Sequence, residues 1–125
     1  MAEQPIRLLI VDDIQSTRDN LRKLLSFEDD IQVVGTAGDG KEGVEEAQRL
    51  HPDIVLTDVN MPVMDGITFI THAKKTSCKF VPILVLTTEA DESKKTAGRE
   101  AGAAGWLVKP FKDDQLVAVV RKFVR

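Results

Sequence analysis

Tyrosine is absent from this 125-residue chain, tryptophan and cysteine each occur once, and there is no run of basic residues. A single cysteine excludes an intrachain disulfide, which fits a reducing compartment. No segment approaches the roughly 18 apolar residues of a membrane span, and the first residues lack a signal-peptide pattern. The net charge of −3 argues against strong electrostatic binding to nucleic acid or to an anionic membrane. We therefore expect a cytoplasmic protein with no direct nucleic-acid binding and no membrane insertion.

The composition, with 42% hydrophobic and 30% charged residues, is that of a globular protein. The length suits one core, so we predict a single domain over residues 1–125. Three of five short apolar runs are nearly continuous in apolar character, as in strands covered on both faces of a parallel sheet. The five predicted strands are Ile6–Val11, Gln32–Thr36, Ile54–Thr57, Pro82–Thr87 and Gly105–Val108.

Segments with helical periodicity separate the predicted strands. The first carries Leu21 and Leu25 on one face and turns Arg18 outward, whereas the fourth, about Glu92–Ala101, is polar and has few apolar anchors. Five strand–helix units in succession predict an α/β layer fold with a mostly parallel sheet and right-handed crossovers. Cys78 stands among polar residues without a Cys/His pattern, so we expect it to have no ligand role.

Reactive side chains follow four of the five predicted strands. Since ligands of open α/β sheets bind at the carboxyl ends of the strands, these side chains are expected to share one rim. A pair of acidic residues at a strand–helix junction is also explained as a simple helix cap, so the pair alone decides nothing. The residues at the strand ends are Asp12 and Asp13, Asp58 (with Asn60 in the loop behind it), Thr87, and Lys109.

Three carboxylates on one rim disfavour each other's ionisation unless a cation lies among them. Lys109 supplies one positive charge, and Mg²⁺, which binds through one or two carboxylates, waters and phosphate oxygens, is the natural second. A carboxylate beside both cations can attack phosphorus and become an acyl phosphate. Asp58 is the best candidate nucleophile, because its apolar strand looks like the central one and a loop rather than a helix follows it.

Three other classes of function compete with a phosphoacceptor. A phosphohydrolase with an aspartate nucleophile usually needs a carboxylate two residues on as general acid, and Asn60 stands there. A flavin-binding module is disfavoured by the absence of tyrosine and of a hydroxyl-rich loop after the first strand. An engineered or recombined scaffold that folds but has no signalling partner is the third alternative.

Four segments resemble the receiver domain of two-component response regulators: LLIVDD, DIVLTDVNMPVMDGI, PILVLTTEA and GAAGWLVKPF. The resemblance runs from about Ile6 to the last predicted helix. It implies a flavodoxin-like (βα)5 three-layer sandwich with parallel strand order 2-1-3-4-5. It also implies a cis peptide bond between Lys109 and Pro110.

The same resemblance implies roles for the acidic residues. Asp58 would be the phosphoacceptor, and the domain would have at most slow self-catalysed phosphorylation and dephosphorylation. Asp13, Asp58 and the backbone carbonyl of Asn60 would ligate Mg²⁺, while Asp12 would act on the ion through water. Asn60 and Glu89 fall where the family tunes the lifetime of the phosphorylated state.

The remaining implied roles concern switching and partners. Thr87 would hydrogen-bond the phosphoryl group, Lys109 would pair with it, and Trp106 occupies the position of the switch aromatic, usually Tyr or Phe. A sensor histidine kinase would be the phosphodonor, and a protein target would bind the face formed by helix 4, strand 5 and helix 5. The part before about Phe80 resembles receivers of larger regulators, and the part after it resembles stand-alone chemotaxis receivers. Divergence, recombination and design each explain that difference.

Overall fold

β-Branched and leucine-rich runs form the five strands of one parallel sheet. The computed structural model describes residues 4–88 and 90–124, so Glu89 lies outside the described residues. The sheet order is β2-β1-β3-β4-β5, which confirms the predicted fold class. The strands are β1 (Ile6–Val11), β2 (Ile31–Ala37), β3 (Ile54–Thr57), β4 (Ile83–Thr87) and β5 (Gly105–Val108).

Five helices cover the two faces of the sheet and complete three layers. Alternate residues of β1 face different layers: Leu8 and Ile10 pack with α1 and α5, and Leu9 and Val11 pack with α2 and α3. β1, β3 and β4 lie between other strands and are almost wholly buried, which explains their continuous apolar runs. The helices are α1 (Gln15–Leu25), α2 (Gly40–Leu50), α3 (Gly66–Ala73), α4 (Glu92–Ala101) and α5 (Asp113–Val124).

Side-chain caps mark the starts of α2 and α3 but not that of α1. Asp39 and Asp65 cap α2 and α3 by accepting the amides of Glu42 and Thr68. The N-cap of α1 is instead Ile14, whose side chain makes no cap bond. Neither residue of the acidic pair is therefore the N-cap of α1, although Oδ1 of Asp12 accepts the amide of Ile14 at 2.9 Å.

Two side chains make contacts that their sequence patterns do not indicate. Cys78 is buried, and its thiol donates to the carbonyl of Ala47 at 3.2 Å. Arg18 is half-buried and turns back over the start of α1 instead of outward. Within the described residues, no helix is both long and apolar enough to cross a bilayer.

Candidate functional site

Backbone hydrogen bonds that continue the sheet by one residue position three of the candidate side chains. Each residue just past a strand donates its amide to the last carbonyl of a neighbouring strand, so its side chain leaves from a fixed backbone. These bonds run from Asp12 to Ala37 (3.0 Å), from Asp58 to Val11 (3.1 Å) and from Lys109 to Thr87 (2.8 Å).

The three predicted carboxylates meet at this rim. One carboxylate oxygen from each of Asp12, Asp13 and Asp58 lies within 4.8 Å of the other two. Asp12 is buried, Asp58 is half-buried and Asp13 is exposed, so the cluster opens to solvent on one side. The ammonium of Lys109 reaches in from β5, with Nζ 3.8 Å from Oδ2 of Asp12. The structure thus brings together four of the residues predicted from the strand ends.

Burial is the main perturbation of Asp12. It raises the pKa of this carboxyl, and the charges of Asp58 and Asp13 raise it further, against the amide of Ile14 and the ammonium of Lys109. Crowded carboxylates with one nearby ammonium are a donor set of hard oxygens that a divalent cation stabilises. Asp12, Asp13 and Asp58 therefore fit Mg²⁺ in their chemistry and in their mutual distances.

Asp58 presents its two carboxylate oxygens differently. Its Oδ1 accepts the amide of Val59 at 2.6 Å, which leaves Oδ2 as the oxygen without that bond. Its backbone carbonyl accepts the hydroxyl of Thr57 at 2.9 Å. A Cβ on Gly66 would lie 2.0 Å from the same carbonyl oxygen, so the loop closes onto Asp58 only with glycine there.

The loop between Asp58 and α3 contains strain that sequence reasoning missed. Val63 has a φ of 68°, and the amide of Met64 donates to the carbonyl of Pro62 at 2.6 Å, which defines a γ-turn. A β-branched residue in this conformation costs of order 1–3 kcal/mol. Gly66 donates its amide to Val59 at 2.7 Å and anchors the far end of the loop. Asn60, the predicted carbonyl ligand, lies in this loop and is exposed.

Thr87 and Trp106 lie on the β4–β5 side of the site. Thr87 is fully buried at the end of β4. The indole of Trp106 points to α4, where a Cβ on Gly98 would be 2.8 Å from Cζ3. Lys109–Pro110 is a cis peptide bond, as the resemblance implied.

This fold and this rim define an α/β domain with an acidic pocket at the carboxyl ends of its strands. Residues 8–121 match the family model described as "Response regulator receiver domain". The chain belongs to this family. Receiver domains bind Mg²⁺ in an acidic pocket, are generally phosphorylated by histidine kinases, and bind downstream targets. They are generally phosphoacceptors rather than enzymes.

Curated relatives are mostly longer than this chain. Response regulator MprA of Mycolicibacterium vanbaalenii is 39% identical over 121 residues, which cover 97% of this chain and 51% of that protein. Protein-glutamate methylesterase/protein-glutamine glutaminase 1 of Methanosarcina acetivorans is 48% identical over 92 residues, which cover 74% of this chain and 26% of that protein. The chain thus spans about half the length, or less, of these relatives.

Solved structures match over nearly the whole chain. The chemotaxis response regulator CheY4 of Vibrio cholerae has a TM-score of 0.87 at 40% identity, covering 96% of this chain and 99% of that one. The response regulator domain of Thermotoga maritima CheB has a TM-score of 0.89 at 26% identity and covers 97% of each chain.

Proposed function

We propose that this domain is a phosphorylation switch in which Asp58 receives a phosphoryl group from a sensor histidine kinase. The observation that carries the proposal is the meeting of three carboxylates within 4.8 Å of one another, with an ammonium 3.8 Å from the buried one. Among them Asp58 is half-buried, with one oxygen engaged by a backbone amide. It is therefore held in place and still accessible to a phosphodonor.

The proposed chemistry uses the second oxygen of Asp58. Oδ2 attacks phosphorus, the Oδ2–P bond forms as the donor's bond to phosphorus breaks, and the bonding electron pair leaves with the donor. Lys109 and Thr87 contact the phosphoryl oxygens after transfer. Positioning and charge stabilisation are most of what such a transfer requires from a protein.

Asp12, Asp13 and Asp58, with the carbonyl of Asn60, are the residues that would hold Mg²⁺. When bound, the ion supplies positive charge that screens the carboxylates and the transferring phosphoryl oxygens. The buried carboxyl of Asp12, whose pKa is raised chiefly by desolvation, would be stabilised in its charged form by such an ion. Asp13 is exposed, so it stays accessible to a hydrated ion.

The response to phosphorylation lies on the α4–β5–α5 face in this proposal. A phosphoryl group adds about −1.5 to −2 charge at the rim and biases an existing equilibrium between two states. Thr87 moves toward it, and Trp106 follows into the space that opens. Of the ten residues of α4, all of which the structure describes, only Gly98 is buried, so this helix is weakly anchored. Beside it a cavity of about 380 Å³ is lined by Lys95, Arg99 and Trp106, among others, where a protein target would bind.

Intact-protein mass spectrometry tests the nucleophile. With Mg²⁺ and acetyl phosphate, the wild type is expected to gain one phosphoryl group and Asp58→Asn none. Asp29→Asn removes an exposed carboxylate away from the rim and is the matched control, expected to behave as the wild type. Equal phosphorylation of Asp58→Asn and the control would refute the assignment of Asp58.

Fluorescence tests the switch separately, because Trp106 is the only tryptophan and no tyrosine contributes. Mg²⁺ with BeF₃⁻, a phosphoryl mimic, is expected to change the emission of the wild type and not that of Asp58→Asn. An unchanged spectrum in a protein that does phosphorylate would remove Trp106 from the proposed switch.

Four finer points stay predictions: one receiver domain over 1–125, a cytoplasmic location, a chemotaxis-like stand-alone role, and the identity of the target face. The match to a chemotaxis protein over nearly its whole length supports the third.

A phosphohydrolase finds no support in the loop, where Asn60 offers an amide in place of a general acid. Normal phosphorylation with no partner binding would instead favour a recombined scaffold.

A further inference from the structure

The guanidinium of Arg18 binds the backbone of the acidic rim. Its Nη1 donates to the backbone carbonyl of Asp12 at 2.6 Å, a short, charge-assisted hydrogen bond in partly buried surroundings. A Cβ on Gly38 would lie 3.6 Å from the same nitrogen, so the guanidinium lies beside the loop after β2. Arg18 thus joins α1 to the end of β1 and lies near the end of β2.

This bond is one of four contacts that hold Asp12 in place. The amide of Asp12 donates to Ala37 at 3.0 Å, and its Oδ1 accepts the amide of Ile14 at 2.9 Å. Its Oδ2 lies 3.8 Å from Nζ of Lys109. The carbonyl that Arg18 binds belongs to the planar peptide group joining Asp12 to Asp13. Fixing that oxygen therefore restricts the orientation of the peptide group from which both acidic residues extend.

We propose that Arg18 is a positioning residue for Mg²⁺ binding, acting through the Asp12–Asp13 peptide group. The inference rests on the proposed function, since it takes these two carboxylates as the metal site. Residues that orient metal ligands typically contribute about 10–100-fold to metal affinity.

The direction of the change in Mg²⁺ affinity distinguishes a positioning role of Arg18 from a purely electrostatic one. If Arg18 acted only as a nearby cation, removing it would reduce repulsion and strengthen Mg²⁺ binding. If it positions the peptide group, removing it weakens Mg²⁺ binding although a positive charge has been lost. The two explanations therefore predict opposite changes for one substitution.

Isothermal titration with Mg²⁺ alone measures this change. Arg18→Met keeps an unbranched apolar stem and removes every donor; we expect its dissociation constant to rise about 10-fold or more. Arg22→Met is the matched control, because it removes the same charge from an exposed position one turn further along α1. Affinity in Arg18→Met that equals or exceeds that of the control would overturn the proposal.

A conservative variant guards against a loss of folding. Arg18→Lys keeps the charge and one donor but not the planar fork, so its Mg²⁺ affinity is expected to lie between those of Arg18→Met and the wild type. Circular dichroism checks that each variant folds. If Arg18→Met does not fold, wild-type affinity in Arg18→Lys would overturn the proposal.

Phosphorylation by acetyl phosphate supplies a second readout. In Arg18→Met the half-saturating Mg²⁺ concentration is expected to rise, while the rate at saturating Mg²⁺ stays close to that of the wild type. A lower rate at saturating Mg²⁺ with an unchanged midpoint would overturn the positioning role. Failure of the wild type itself to bind Mg²⁺ or to become phosphorylated would instead refute the proposed function.

Discussion

Gly98→Ala tests the contact between Gly98 and Trp106, because helix propensity and overpacking would change the stability in opposite directions. Glycine inside a helix costs about 1 kcal/mol relative to alanine, so Gly98→Ala in isolation should stabilise α4 by about that amount. In this fold, however, the new methyl group would lie 2.8 Å from Cζ3 and 3.3 Å from Cε3 of the indole. Both atoms belong to a rigid ring, so the whole side chain must move.

The magnitudes decide the expected outcome. Overpacking of this kind costs about 1–3 kcal/mol, which cancels or exceeds the gain in helix propensity. We expect the free energy of unfolding of Gly98→Ala to lie between that of the wild type and a value about 2 kcal/mol lower. The indole is expected to leave its place on α4, which changes its emission spectrum.

A double-mutant cycle isolates the contact. In a Trp106→Ala background the methyl group meets no ring, so Gly98→Ala should recover the full helix gain of about 1 kcal/mol. Urea unfolding followed by circular dichroism measures all four proteins, including those without tryptophan. A gain of the same size in both backgrounds, with unchanged Trp106 emission in Gly98→Ala, would refute the reasoning.

Two further substitutions test the rim. Asp12→Asn should raise the free energy of unfolding at pH 7 without Mg²⁺, because burial raises the pKa of this carboxyl and its charged form is disfavoured in the folded state. The stability lost to ionisation appears as pH rises through the unfolded pKa, so the advantage of Asn should vanish below about pH 4. Gly66→Ala should lower the free energy of unfolding, measured in urea, by about 3 kcal/mol, because its methyl group would lie 2.0 Å from the carbonyl oxygen of Asp58. A loss under about 1 kcal/mol would show that the loop adjusts to the methyl group.

Hydrophobic periodicity and composition predict the strands well, because the apolar pattern of a buried strand is a local feature of its sequence. β1, β3 and β5 begin and end at the predicted residues, and β2 is one residue longer at each end. The rim could be predicted for a related reason: parallel strands deliver their carboxyl ends to one edge, so the residue after each strand is placed by topology.

The contacts that sequence reasoning missed join residues from separate elements. The direction of Arg18 depends on an acceptor carbonyl six residues before it, and the burial of Cys78 depends on Ala47, 31 residues away. Periodicity assigns a face to a side chain but says nothing of how far a flexible one reaches. Glycine at position 98 is a similar case, because the requirement for glycine arises from the indole ring of Trp106 on β5.

The distribution of burial separates the proposed chemistry from the proposed response. Asp12 and Asp58 follow β1 and β3, whose residues are nearly all buried, so the acidic rim rests on the well-packed central part of the sheet. Every residue of β5, by contrast, is only half-buried. A local charge change can shift only elements whose two arrangements differ by little free energy. The β5–α4 side, where Trp106 packs against a helix with one buried residue, is therefore the side on which we propose the response.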